Sequence, residues 1–158
     1  MFNKNQNYNA NNYKKEVVDK VVADEQFFSK IKENYVDEAE QVIRQLASSN
    51  SLLTVSSIRN ILELINTVRE KMVFESETVC KNVEYDIQYI LLKLYYIYGR
   101  AQAKGKDTES KNTMAFIEKS KIRELVLCVG KDKSKFEIFA KYVEALVAFH
   151  KYYGGKDW

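Results

Sequence analysis

The chain has 158 residues, 46% of them hydrophobic and 30% charged, with no proline and five glycines. That suits one soluble helical domain with a sizeable core and argues against a β-rich fold. A formal net charge of +3 permits nucleic-acid binding without demanding it. No apolar run approaches the roughly 18 residues of a membrane span, and the N-terminus lacks the apolar core of a signal peptide, so the expectation is a cytoplasmic protein with no membrane partner.

Residues 1–13, "MFNKNQNYNANNY", are Asn-rich and too poor in apolar side chains to offset chain entropy; they are expected to be a disordered tail. Residues 14–34 carry short apolar pairs (Val17-Val18, Val21-Val22, Phe27-Phe28) without a long period. The division expected is therefore 1–34, tail and ill-defined segment, and 35–158, a helical bundle domain.

From Tyr35 the pattern sharpens. Val36, Ala39, Val42, Ile43 and Leu46 share one helical face, with Asp37, Glu38 and Glu40 near the start where the helix dipole favours them. "SSNS" ends this helix. The next opens with Thr54 or Ser56 as N-cap and repeats Ile58, Ile61, Leu62, Ile65, Val68 and Met72 at spacings of three and four.

A third helix, about Ser76 to Lys104, repeats Val79, Val83, Ile87, Ile90, Leu91, Leu94 and Tyr98. It is the longest predicted element, about 43 Å, and is expected to organise the bundle. "AKGKDTES" is a charged loop. A fourth helix runs from about Lys111 to Val129, where Gly130 stops it. Ile122, Leu125, Val126 and Val129 are in phase with one another but not with Met114 to Lys121, which predicts a bend. No strand pattern or internal repeat appears. The fold class is all-α, a compact bundle of about five helices with a long central helix.

The last helix, within "FEIFAKYVEALVAFHKYYGGKDW", is apolar nearly all round. Phe136, Ala140, Val143, Val147 and His150 form one face; Tyr142, Leu146, Phe149 and Tyr153 form a second. Such a helix is buried at the centre of a bundle, or shares one face with another protomer. Of the second face, Leu146 is assigned to the core, and Tyr153, nearer the helix end, is the one expected to reach a partner if either does.

Catalysis has little to stand on. The single His150 lies on a largely apolar face, as core or interface histidines do. There is no phosphate loop and no nucleophile with a local base. An enzyme would need a pocket gathering His150, Glu144 and a tyrosine; Glu144 is instead expected to pair with a basic residue of the bundle. Cys80 and Cys128 read as buried free thiols, and with one distant histidine they do not make a zinc site. No catalytic residue, metal or cofactor is expected.

Basic residues say more. Between Arg100 and Lys135 ten Lys and Arg stand against five Asp and Glu, about +5. This is either a solvated surface or a strip that neutralises phosphates. Arg59 stands near a helix N-terminus, where the dipole does not reward a cation, and is a candidate ligand-facing residue. Arg100, near a helix C-terminus, could serve the dipole or a ligand.

The segment "KYVEALVAFHKYYGGKD" resembles the C-terminal signature of the small subunit of type III-A CRISPR (Csm) effector complexes. Upstream, "YVDEAEQVI", "LTVSSIRNILEL", "LKLYYIYGRA" and "FIEKSKIRE" resemble the family's successive helices, in order, over residues 35–157. The resemblance implies a non-catalytic RNA-binding subunit in antiviral defence. Several copies would line the ribonucleoprotein, self-associate and touch other Csm subunits. They would track the guide RNA–target RNA duplex through its backbone while base pairing supplies specificity. Arg59, Arg100, Lys119, Lys121, Arg123 and Lys141 are the residues this assigns to RNA. The alternative is a helical oligomerisation or scaffold protein that binds only proteins.

Overall fold

The computed structural model describes residues 24–72, 84–105 and 107–154 in full, and the helix backbone also over 4–23, 73–74 and 80–83. Among the described residues it is all-α, with six helices: α1 (Lys4–Ser48), α2 (Val55–Phe74), α3 (Cys80–Lys104), α4 (Thr108–Ser120), α5 (Ile122–Val129) and α6 (Lys133–Tyr152). No helix among these residues is long and apolar enough to cross a membrane. The expectation of a disordered tail falls on residues outside those fully described, as do Val79, Val83 and the side chain of Cys80.

The helix start read at Tyr35 is a break inside α1. Asn34 leaves helical geometry (φ −151, ψ 73), and its Oδ1 accepts the Asp37 N–H at 3.3 Å, an N-cap for the second half. The core nevertheless reaches back past Tyr35. Phe28 and Ile31 are buried, and Phe27 meets the Tyr142 ring edge-on at 6.2 Å. The packed body thus begins before residue 35, because the apolar row Ala39, Val42, Ile43, Leu46 continues across the break. Val36, expected on that row, is 42% exposed: it lies on the rim of the stripe.

Thr54 caps α2 by accepting the Ser57 N–H, and Asp107 and Asp132 cap α4 and α6 in the same way. Gly130 ends α5 with φ 55, in the region a glycine enters freely. The predicted bend is a complete break. Lys121 adopts φ 51, and the carbonyl of Ser120, released from the helix, accepts the hydroxyl of buried Tyr142 at 3.1 Å. Burial holds that hydroxyl's pKa above its ordinary value.

The centre of the bundle belongs to α6, which packs on α1, α2 and α5 and buries Phe136, Phe139, Ala140, Tyr142, Val143, Leu146 and His150. The third helix is long, as read, but flanks this centre. It packs on α2, α4 and α5 through Ile87, Ile90, Leu94 and Ala101, and leaves its opposite face open.

The second face of α6 is filled within the chain. Leu146 is fully buried. Tyr153, expected to reach a partner, donates its hydroxyl to Glu40 at 2.6 Å and accepts from Arg44. It docks on α1 because α1 is long enough to run beneath the end of α6. Cys128 is a free, half-buried thiol whose pKa burial raises.

Candidate nucleic-acid interface

An open concave surface carrying two cations lies where the start of α2 meets the end of α3 and the start of α4. Thr54, Ser56, Ser57, Asn60, Tyr96, Arg100, Lys104 and Thr113 line an open groove of about 360 Å³. The local folding is simple. Thr54 must stand at the start of α2 to cap it, which brings Ser56, Ser57 and Asn60 to the groove wall. Ile97 and Ala101 turn toward the body, so Arg100 and Lys104 fall on the wall's open side. One carboxylate, Glu109, also lines the groove. Two flexible cations among hydroxyls and an amide suit a phosphodiester backbone.

The six residues assigned to RNA do not form one strip. Arg100 lines the groove; Arg59 is exposed on the helix that walls it, one residue or about 100° round from Asn60. Lys119 is exposed on the last turn of α4. Lys121 is half-buried at the break, its Nζ 5.3 Å from the centre of the Phe27 ring. Lys141 is exposed on α6 between Glu137 and Glu144.

Arg123 departs most from its assignment. Its guanidinium lies 4.1 Å over the Tyr98 ring and 5.5 Å from Tyr95, and its side chain is 17% exposed. Tyr98 is in turn fixed by donating its hydroxyl to Glu118 at 2.7 Å. Arg123 therefore braces α5 on α3 as a stacked cation. The left-handed Lys121 turns α5 out of phase with α4, and that rotation carries Arg123 inward. Lys104, counted in the charge but not singled out, takes its place beside Arg100.

The pocket that catalysis would need is not assembled. His150 is buried, and its Nε2 donates to the Leu53 carbonyl at 2.8 Å; a carbonyl only accepts, so this nitrogen carries the proton. Burial lowers the ring's pKa and the Leu53 bond partly restores it. Glu144, as expected, pairs with a basic residue of the bundle: Arg69 reaches it at 2.5 Å and also holds Glu137.

The type III-A Csm2 family model matches residues 29–156. The chain is similar to a "CRISPR system Cms protein Csm2" of Streptococcus thermophilus, 37% identical over 79% of this chain and 95% of that protein. It is also similar to proteins of the same name from Enterococcus italicus, 39% identical over 64% and 68% of the two chains, and from Mycobacterium tuberculosis, 28% identical over 82% and 98%.

Proposed function

From the premise that the chain belongs to the type III-A Csm2 family, the small subunit of a type III-A CRISPR complex, we propose that it is a non-catalytic subunit that holds RNA by its sugar–phosphate backbone. Its partners are then the guide RNA–target RNA duplex, other Csm subunits and further copies of itself, in the cytoplasm. The groove between α2 and α3 carries this reading: Arg100 and Lys104 stand in it with the hydroxyls of Ser56 and Ser57, and Arg59 stands beside it. Such a set binds any sequence, which leaves specificity to base pairing. Lys119 and Lys141, both exposed, lie outside the groove and would make separate contacts. Lys121 and Arg123 serve it indirectly by fixing the α4–α5 break.

The test is binding of the whole chain to a labelled RNA duplex of unrelated sequence, followed by anisotropy as salt is raised from about 50 to about 200 mM. Affinity should fall steeply, equally for any sequence, and the slope should lessen in Arg59→Ala/Arg100→Ala. Affinity indifferent to salt, or dependent on base sequence, would overturn the reading. Absence of RNA binding with intact binding to other subunits would favour the protein-only scaffold.

A further inference from the structure

A cavity of about 600 Å³ opens between the loop ahead of α2 and the first turn of α4. Leu52, Thr108, Glu109, Asn112 and Gly154 line it. Its loop side is held from two directions. The Leu52 carbonyl accepts from the Asn112 amide at 2.9 Å, and the Leu53 carbonyl accepts from His150. The Leu52 side chain stays half-buried and gives the cavity an apolar wall. Glu109 is exposed, and its carboxylate makes no ion pair among the described residues.

The chain leaves α6 at the edge of this cavity. Glu40 and Arg44 anchor Tyr153 on α1, which fixes the exit. Gly154 follows at φ 92, in the left-handed region that glycine enters freely, and itself lines the cavity. Gly155, Lys156, Asp157 and Trp158 come next and lie outside the described residues. Four extended residues reach about 13 Å.

We propose that this segment of the chain folds back into the cavity, setting the Trp158 ring against Leu52 and pairing Lys156 with Glu109. Cavities of about 300–1,000 Å³ accommodate ring systems. An indole joins an apolar body to a single N–H donor, and the Thr108 hydroxyl and Asn112 amide oxygen are acceptors for it. In an extended segment alternate side chains share a side, so Lys156 and Trp158 face the cavity together and Asp157 faces away. The seat bears on the neighbouring groove, with which the cavity shares Leu53, Thr54, Ser56 and Glu109. Glu109 is the one carboxylate lining that groove; once paired with Lys156 it no longer repels a phosphate. This consequence rests on the RNA reading above, whereas the seating of the segment does not.

Trp158 is the chain's single tryptophan, so its fluorescence reports this segment alone. In the full chain without RNA, emission should lie to the blue of its value in denaturant, and iodide should quench it several-fold less. Thr108→Arg fills the cavity from an exposed position and repels Lys156; it should restore emission and quenching to the denatured values while melting stays at the wild-type temperature. Denatured-like emission in wild type would overturn the proposal. So would shelter that survives Thr108→Arg, since the ring would then lie elsewhere. Lys156→Ala should weaken binding of an RNA duplex about threefold at low salt, and should cost less in a Glu109→Gln background. An equal loss in both backgrounds would overturn the pairing with Glu109. A sheltered Trp158 released by Thr108→Arg, in a chain that binds no RNA, would uphold the seat and overturn the RNA reading alone.

Discussion

His150, near the end of α6, donates its Nε2 proton to the carbonyl of Leu53, two residues before α2 begins, at 2.8 Å in the buried interior. The bond closes a chain separation of 97 residues and satisfies a carbonyl that lies outside any helix. It makes the one histidine a fixture of the fold.

His150→Ala should therefore lower stability by about 1–3 kcal/mol, since the buried Leu53 carbonyl loses its donor. Binding of the RNA duplex should be unchanged in the folded fraction. Denaturant unfolding beside anisotropy would check this. A variant that melts normally but no longer binds RNA would contradict the structural role.

The same burial sets a pH dependence. His150 has a folded pKa below its ordinary value of 6.5, so the unfolded chain takes up the proton first. Stability is complete above that ordinary value and is lost as the pH falls from it through the lowered folded value. Denaturant midpoints measured from about pH 7.5 down to about pH 5 should fall, and His150→Gln should flatten the slope. An equal slope in the variant would place the titration elsewhere.

Leu146 and Tyr153 lie on one face of α6 but predict different losses. Leu146→Ala empties a fully buried site and should cost about 2–5 kcal/mol. Tyr153→Phe removes only the hydroxyl that Glu40 and Arg44 share, at a partly exposed helix end, and should cost about 1 kcal/mol. Sedimentation of Tyr153→Phe should match wild type, because the hydroxyl's partners lie in its own chain.

Much of the architecture was legible because helix ends carry chemistry. Thr54 and Gly130 mark their boundaries through a cap and a left-handed turn, and the phase slip near Lys121 announced a bend there. The deep burial of α6 followed from its all-round apolarity. Three things were not legible for physical reasons. Phe28 and Ile31 join the core across the Asn34 break, and a break interrupts the period by which a core row is recognised. The direction of Arg123 depends on the backbone angle at Lys121, which charge counting does not contain. The open face of α3 was hidden because a helix with apolar residues on two faces does not reveal which face its own bundle takes.

Arg100 and Arg123 give the sharpest contrast, since both lie in the same charge-rich stretch and the resemblance assigned both to RNA. Arg100 stands in the open groove, so Arg100→Ala should leave melting unchanged and weaken duplex binding about three- to tenfold at low salt, with a shallower salt slope. Arg123 is stacked on Tyr98 with its stem covered, so Arg123→Ala should remove packing as well as charge and lower stability by about 1–2 kcal/mol. Arg123→Lys should recover only part of that loss, because an ammonium lacks the flat face that lies on the tyrosine ring. Tyr98→Leu supplies the cross-check: with the ring gone, Arg123→Ala should cost less than it does in wild type. If Arg123→Ala instead melted like wild type and lost RNA affinity as Arg100→Ala does, the guanidinium would have to leave Tyr98 when RNA binds. The α4–α5 junction would then belong to the interface, and the groove would no longer suffice to explain how the subunit holds RNA.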